Sequence, residues 1–287
     1  MITAKIIADS INPYGDRLTT FVLSFPRIVL AEFNTHRAFS RNSASSRAIP
    51  FKRMLEMVKK DPFIPIAWMK DHSGMQGNEY FDYPEEIEQL KLDWLLAADL
   101  AAIKATHLNE KGLTKQICNR LLEPFMWHTV ILSATDFENF FSLRANNQAE
   151  IHIQDLAYKM LEEYNSSTPK SLNIGEWHIP FGNNIDNRAY QFIDLFTTLE
   201  QVKIKIATAR CARVSYMNFE GKDDYEADIK LFDRLEKSGH NSPFEHCAQA
   251  AESIYHGNFL GFKQVRKTLP EENKTDTRIK KHLWQKD

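Results

Sequence analysis

Between Asn34 and Ala48 the chain packs in Arg37, Arg41, Arg47, His36, Thr35, two asparagines and the serines Ser40, Ser43, Ser45 and Ser46, with only Phe39 and three alanines among them. A guanidinium presents a planar fork of donors that matches phosphate oxygens, and small serines leave backbone amides free to approach the same anion. This is chemistry for holding a phosphorylated ligand. The same composition also suits a solvated turn capped by its own hydroxyls, and composition alone does not separate the two. Arg144 follows Phe140 and Phe141. Its stem can pack while its fork faces a ligand; a helix-surface ion pair with Glu150 is the alternative. Farther on, Gly239-His240-Asn241-Ser242-Pro243-Phe244-Glu245-His246 sets two histidines and a glutamate around a proline turn. Without a paired cysteine or a further histidine this is a poor metal site, and a plain turn is the commoner reading.

Several elements must position these groups. Arg17 to Ser24 is rich in β-branched and aromatic residues and reads as a strand, after which Pro26 suits the first turn of a helix through about Thr35. The arginine loop follows, and Pro50 opens a helix over 51–60 with Met54, Leu55 and Val58 at helical spacing, stopped by Pro62 and Pro65. Residues 70–83, with Asp71, Gly74, Gly77, Asn78 and Asp82, read as a surface loop. Pro84 to Asn109 predicts a long amphipathic helix whose stripe, Ile87, Leu90, Trp94, Ala98, Ala101 and Ala105, is core or subunit contact. Thr114 caps a helix ending near Glu123-Pro124, Trp127 to Ser133 reads as a strand, and Gln148-Ala149-Glu150-Ile151 lies on a helix reaching about Asn165. Residues 164–187 read as an excursion with nothing catalytic in it. Leu199 to Tyr216 and Asp223 to Lys237 are two helices, the second stopped by Gly239.

A length of 287 residues and a formal charge of −2 allow a sizeable core and give no global field toward nucleic acid or anionic membrane, so any anion site must be local. Cys118, Cys211 and Cys247 are odd in number and widely spaced, which argues for a reduced, cytoplasmic protein without disulfides or bound metal. The N-terminal residues turn polar too quickly for a signal peptide, and no apolar run reaches membrane-spanning length.

The order of residues goes further. His36-Arg37-x-x-Ser40-x-Asn42-x-x-Ser45-x-Arg47 resembles the signature loop of flavin-dependent thymidylate synthases, Arg-His-Arg-x-x-Ser-x-Asn-Glu-x-Ser-x-Arg-Tyr. Thr35 replaces the first Arg, Ser43 the Glu and Ala48 the Tyr. Arg120-Leu121-Leu122-Glu123-Pro124 and Asn139-Phe140-Phe141-Ser142-Leu143-Arg144 are similar to the family's Arg-x-x-Leu-Pro and Asn-Phe-x-x-Leu-Arg, with Glu123 in place of Leu. The family's helix glutamate falls on His152 in an ungapped alignment and on Glu150 after a shift. Ala212-Arg213-Val214-Ser215-Tyr216 and Gly239 to His246 resemble the family's Ala-Arg-Val-Ser-Tyr and Gly-His-x-x-Pro-Phe-Glu-His. The resemblance covers most of the chain apart from residues 61–83 and 168–195.

The resemblance implies an α+β fold, a mixed or antiparallel sheet packed with long helices, in one catalytic domain over 1–287. Within it, 1–165 carries the signature loop, 166–198 is an excursion, and 199–287 carries the remaining blocks. It implies a homotetramer with active sites shared between subunits, FAD as cofactor, and NADPH and methylenetetrahydrofolate as co-substrates in the conversion of deoxyuridine monophosphate to thymidylate. Carried over by position, His36, Arg37, Asn139 and His246 meet the flavin. Glu32, Ser45, Arg47, Arg120 and Arg144 meet the nucleotide, with Ser45 and Arg144 the catalytic pair. No cysteine nucleophile is needed. In usual members the Arg-Val-Ser-Tyr and Pro-Phe-Glu-His blocks precede the Arg-His-Arg loop; here they follow it. This is the order a circular permutation leaves, as in a divergent, phage-type member, and 248–255 with 261–267 would repeat the strand and helix found at 20–37. Thr35, Ser43 and Glu32, the last where the family has Gln, also fit two other readings: a hydroxymethylating relative or an inactive flavin- or nucleotide-binding homologue. A nucleic-acid-binding role for the arginine loop is disfavoured by the near-neutral charge.

Overall fold

The computed structural model describes residues 1–74, 77, 79–215, 224–269 and 272. Asn78, Tyr216 and Asp223, named above, lie outside them. Five strands, β1 (Thr3–Ile11), β2 (Arg17–Pro26), β3 (Ser40–Ser43), β4 (Trp127–Ala134) and β5 (Lys170–Ser171), form a mixed sheet in the order β3-β4-β2-β1-β5. All neighbours are antiparallel except β1 and β5. The arginine stretch is therefore not wholly loop: Ser40 pairs with Ser133 and Asn42 with Ile131, so β3 gains a ladder partner that composition could not reveal.

β2 is buried on both faces, as a central strand must be when helices cover both sides of a sheet. Phe21, Leu23 and Phe25 pack with Phe137, just before α5 (Glu138–Arg144), with Phe140 of α5, and with Ile153, Leu156 and Met160 of α6 (Ile151–Ser166). On the opposite face Val22 and Ile131 meet Cys211 and Val214, at the end of α7 (Leu199–Ala212) and just beyond it. β1 escaped the sequence reading because Ile6 and Ile7 serve opposite faces, which erases the alternation of a half-buried strand. The short α1 (Leu30–Phe33) leads into the arginine stretch, in place of a helix running from Pro26 to Thr35.

α2 (Phe51–Lys60), α3 (Pro84–Glu110) and α4 (Lys115–Cys118) build a second core around Met54, Val58, Ala98, Ala102, Ala105 and Leu122. α3 also carries a second apolar row, Leu92, Leu96, Leu100 and Ile103, that is 52 to 60% exposed. A third core joins α7 to α8 (Tyr225–Ser238) through Val202, Ile206, Phe232 and Phe244. Gly239 ends α8 in the left-handed conformation at φ +69°.

The second sheet, in the order β6-β7-β8, contains β6 (Trp177–His178), β7 (Ala248–His256) and β8 (Phe259–Gln264). Residues 164–187 thus supply a strand to each sheet. The helix anticipated over 261–267 is instead the end of β8 and a 3-10 turn, Val265–Thr268. Antiparallel pairing with β7 fixes this, and Gly261 at φ +70° lies so close to Asp16 that a Cβ would meet its Oδ2 at 2.2 Å. Among the described residues no helix is long and apolar enough to cross a membrane.

Candidate active site

The fold brings the arginine stretch against the C-terminal blocks. A cavity of about 460 Å³ has Arg41, Asn42, Ser43, Ser45 and Ala48 on one wall. Ala212, Val214, His240, Ser242 and Pro243 form much of the other, with Leu231 and Leu235 of α8. Asn42, 7% exposed, donates from Nδ2 to the Cys211 carbonyl at 3.3 Å, locking strand β3 to the end of α7. From the far side Gln264 donates to Ser40 Oγ at 3.1 Å, so the C-terminal hairpin grips the same strand. Arg41 donates to the Phe33 carbonyl at 3.3 Å. Burial and neighbouring Arg37 lower its pKa, with Glu245 opposing them. Glu245 is itself ion-paired with Arg266.

A second cluster forms where α5 ends. Arg144 Nε donates to His36 Nε2 at 3.1 Å and its Nη2 to Thr35 Oγ1 at 3.4 Å. A nitrogen that accepts from a guanidinium carries no proton, so His36 is neutral with its hydrogen on Nδ1. Burial, then Arg144 and Arg41, push its pKa down to about 4, while a hydrogen bond with Asn139 works the other way. His36, Asn139 and Arg144, expected from two separate motifs, are thus one assembly, with the His36 ring edge-on to Phe140 at 4.9 Å. The residue replacing the family's first arginine, Thr35, orients Arg144. Glu32 lies one turn back: its carbonyl accepts from Thr35 Oγ1 at 2.6 Å, and its Oε2 is buried with no partner among the described residues. Arg37 is exposed.

Arg47 and Arg120 stand apart from this cluster, both exposed, and share no hydrogen-bond partner with Arg144 among the described residues. Arg47 Nε donates to Gln116 at 3.1 Å. Glu123 collects Ser46 Oγ at 2.5 Å, Arg120 at 3.5 Å and Arg27 at 3.6 Å. The substitution of Leu by Glu at 123 thereby ties the arginine stretch to the segment before β4. Ser45 turns the chain at the cavity wall, its carbonyl accepting from Ala48 N at 2.9 Å.

His246, read as a flavin contact, is 0% exposed in the single chain, with Nδ1 on Ser133 Oγ at 2.9 Å and a buried Nε2 that has no partner among the described residues. Arg144 makes no ion pair with Glu150. The Glu150/His152 alternative resolves into a single device at the start of α6. Glu150 accepts from the His152 and Ile153 amides as the N-cap and bonds His152 Nδ1 at 2.5 Å, while His152 Nε2 accepts from Ile66 N at 3.1 Å. Burial raises the Glu150 pKa, but the His152 bond and the amides outweigh it and lower it overall. Sequence reasoning singled out Glu123 only as a departure from the family's Leu and gave Arg266 no role, so neither was expected as a partner of the site.

A family model described as thymidylate synthase complementing protein matches residues 18–170, from β2 through β5. The chain belongs to this family. It is a thymidylate synthase-like enzyme, and the match spans the His36 and Arg144 cluster while ending before the C-terminal blocks. Among solved structures the chain is similar to a UMP/dUMP methylase, PolB from Streptomyces cacaoi, bound with 5-Br dUMP: 14% identity over 57% of this chain and 90% of that one, TM-score 0.49. The same methylase bound with 5-Br UMP gives 15% identity, 57% and 88% coverage, and a TM-score of 0.48. No curated protein matches.

Proposed function

We propose that the protein transfers a one-carbon unit from methylenetetrahydrofolate to C5 of deoxyuridine monophosphate, giving thymidylate, with bound FAD that NADPH reduces. The observation that supports this reading is the cavity itself, built by the signature strand on one side and the displaced blocks on the other. Arg41 and the serines offer donors for a diphosphate, and Val214, Leu231, Leu235 and Pro243 offer an apolar wall for a flat ring. These residues fit a flavin nucleotide, which supplies redox equivalents when bound. His36, Arg37, Asn139 and His246 would hold it.

Arg144, oriented by His36 and Thr35, polarises the pyrimidine carbonyls and raises electron density at C5; Ser45 donates a hydrogen bond. The exposed Arg47 and Arg120 hold the phosphate, and Glu32 lies at the base. The exposed row on α3 suits the expected homotetramer with shared sites, since soluble monomers rarely leave so long an apolar row uncovered. The block order is read as a circular permutation, with the C-terminal blocks occupying the space that N-terminal blocks fill in usual relatives.

A second reading, hydroxymethyl transfer, is favoured by Ser43: it lines the cavity where the family has a glutamate, so that wall lacks a carboxylate. The test is purified protein with FAD, NADPH, methylenetetrahydrofolate and C5-tritiated deoxyuridine monophosphate. Tritium release and a product carrying a methyl group in place of the C5 hydrogen are expected. A hydroxymethyl product selects the second reading, and no FAD binding with no tritium release refutes both.

A further inference from the structure

Five side chains from five segments meet in the interior, and the established family role uses none of the first four. Ser10 Oγ lies 2.9 Å from His178 Nδ1, and His178 Nε2 lies 2.8 Å from Thr20 Oγ1. Thr20 Oγ1 lies 2.6 Å from Ser133 Oγ, and Ser133 Oγ lies 2.9 Å from His246 Nδ1. None is more than 4% exposed, and His246 Nε2 has no partner among the described residues. Thr20 and Ser133 are ladder partners, and Ser133 also pairs with Ser40 of β3.

Hydrogen counting fixes the direction. Burial pushes both rings down to about 3, so each imidazole is neutral, with one donor and one acceptor nitrogen. If Ser10 donates to His178, the bonds run on through Thr20 and Ser133 to His246 Nδ1, and one donor, the Nε2 hydrogen of His246, is left over. Run in reverse, the series strands two groups, the Ser10 hydroxyl hydrogen and the His246 Nε2 lone pair. A mixed series strands the Thr20 hydroxyl hydrogen as well as His246 Nε2. Each buried, unpaired group is destabilising, so the arrangement that strands one rather than two prevails.

We propose that Ser10, His178, Thr20, Ser133 and His246 form one directional hydrogen-bond chain that holds His246 as the Nε2–H tautomer. Ser10, Thr20, Ser133 and His178 are then positioning residues for the ring that ends the Pro243–His246 turn, beside the cavity wall. The hydrogen it leaves is a fixed donor for an acceptor atom on the flavin; this part rests on the proposed FAD site.

The test is long-range proton–nitrogen NMR of the full chain labelled on its ten histidines. His246→Gln and His178→Gln assign the two signals. Wild type shows one neutral His246 tautomer, protonated on Nε2. Ser10→Ala, which does not touch His246, leaves both directions with equal numbers of stranded groups and gives a mixture. Adding Thr20→Val cuts the chain between the two rings, so Ser133 again donates to Nδ1 and the single tautomer returns. With half the rings competent, FAD affinity in Ser10→Ala falls about twofold and recovers in the double variant. An Nδ1–H ring in wild type, or a tautomer unchanged by Ser10→Ala, overturns the chain. Wild-type protein that binds no FAD overturns the flavin reading, while the tautomer series still decides the chain.

Discussion

Acid should begin to destabilise this protein through its interior histidines, at a pH above the range where most carboxylates titrate. His128, His178 and His246 are each no more than 1% exposed. Burial pushes each ring down to about 3, aided by Arg27 at His128 and by His178 at His246. In the unfolded chain they titrate near 6.5, so below that pH the unfolded state binds more protons and stability falls as pH falls. The stabilising difference is fully present above about pH 6.5 and is lost through the window down to about pH 3. Each histidine contributes roughly 1 kcal/mol per pH unit there, so the three together remove roughly 3–4 kcal/mol per unit. Against a total of about 5–15 kcal/mol, this loss exhausts the low end near pH 5 and the high end only near pH 3. Thermal melts followed by circular dichroism at pH 7.5, 6.5, 5.5 and 5.0 should show a plateau and then a drop of roughly 6–12 °C per unit. His128→Gln should remove about a quarter of that slope, since His36, held down to about 4, contributes over the same pH range beside the three interior rings. Flat midpoints from pH 7.5 to 5.0, or a slope that His128→Gln leaves intact, would refute the reasoning.

Arg144→Ala and Arg47→Ala should each weaken deoxyuridine monophosphate binding about ten- to a hundredfold in calorimetry, the loss of one charge-assisted contact, while FAD stays bound. Arg144→Ala should also raise the His36 pKa from about 4, since the arginine's charge is one of the groups holding it down; an unmoved NMR titration would discard that contact. Leu96→Glu with Ile103→Glu on the exposed row of α3 should shift the oligomer toward monomer in light scattering. An unchanged mass would detach that face from assembly.

Much of the site was legible because its chemistry sits in short, ordered strings. His36, Asn139 and Arg144 lie in two such strings, and the structure joins them with direct hydrogen bonds. Helices over 51–60 and from Pro84 were readable because their apolar residues recur at helical spacing and a proline marks each start. The burial of His246 was not readable: it depends on what lies behind the ring, here Ser133 from a strand over a hundred residues away in sequence. His178 was passed over for the same reason. It sits in a segment full of turn residues, and only the pairing of β6 with β7 carries it into the interior. Propensity reads neighbours along the chain, whereas burial is decided by neighbours across a sheet.

The same distinction bears on the C-terminal blocks. Their motifs are local, but their use depends on closure over roughly two hundred residues, an entropic cost that grows only as the logarithm of that length. Opposing it are specific contacts between front and back. Asn12 donates to the Gly261 carbonyl at 3.1 Å, Gln264 holds Ser40, and Asn42 holds the Cys211 carbonyl. All three engage backbone or signature-strand atoms, so they depend on the fold's geometry and not on which end of the gene encodes each partner. A chain whose front and back are stitched this way can be reopened elsewhere without dismantling the cavity, which is the physical condition a permutation must meet.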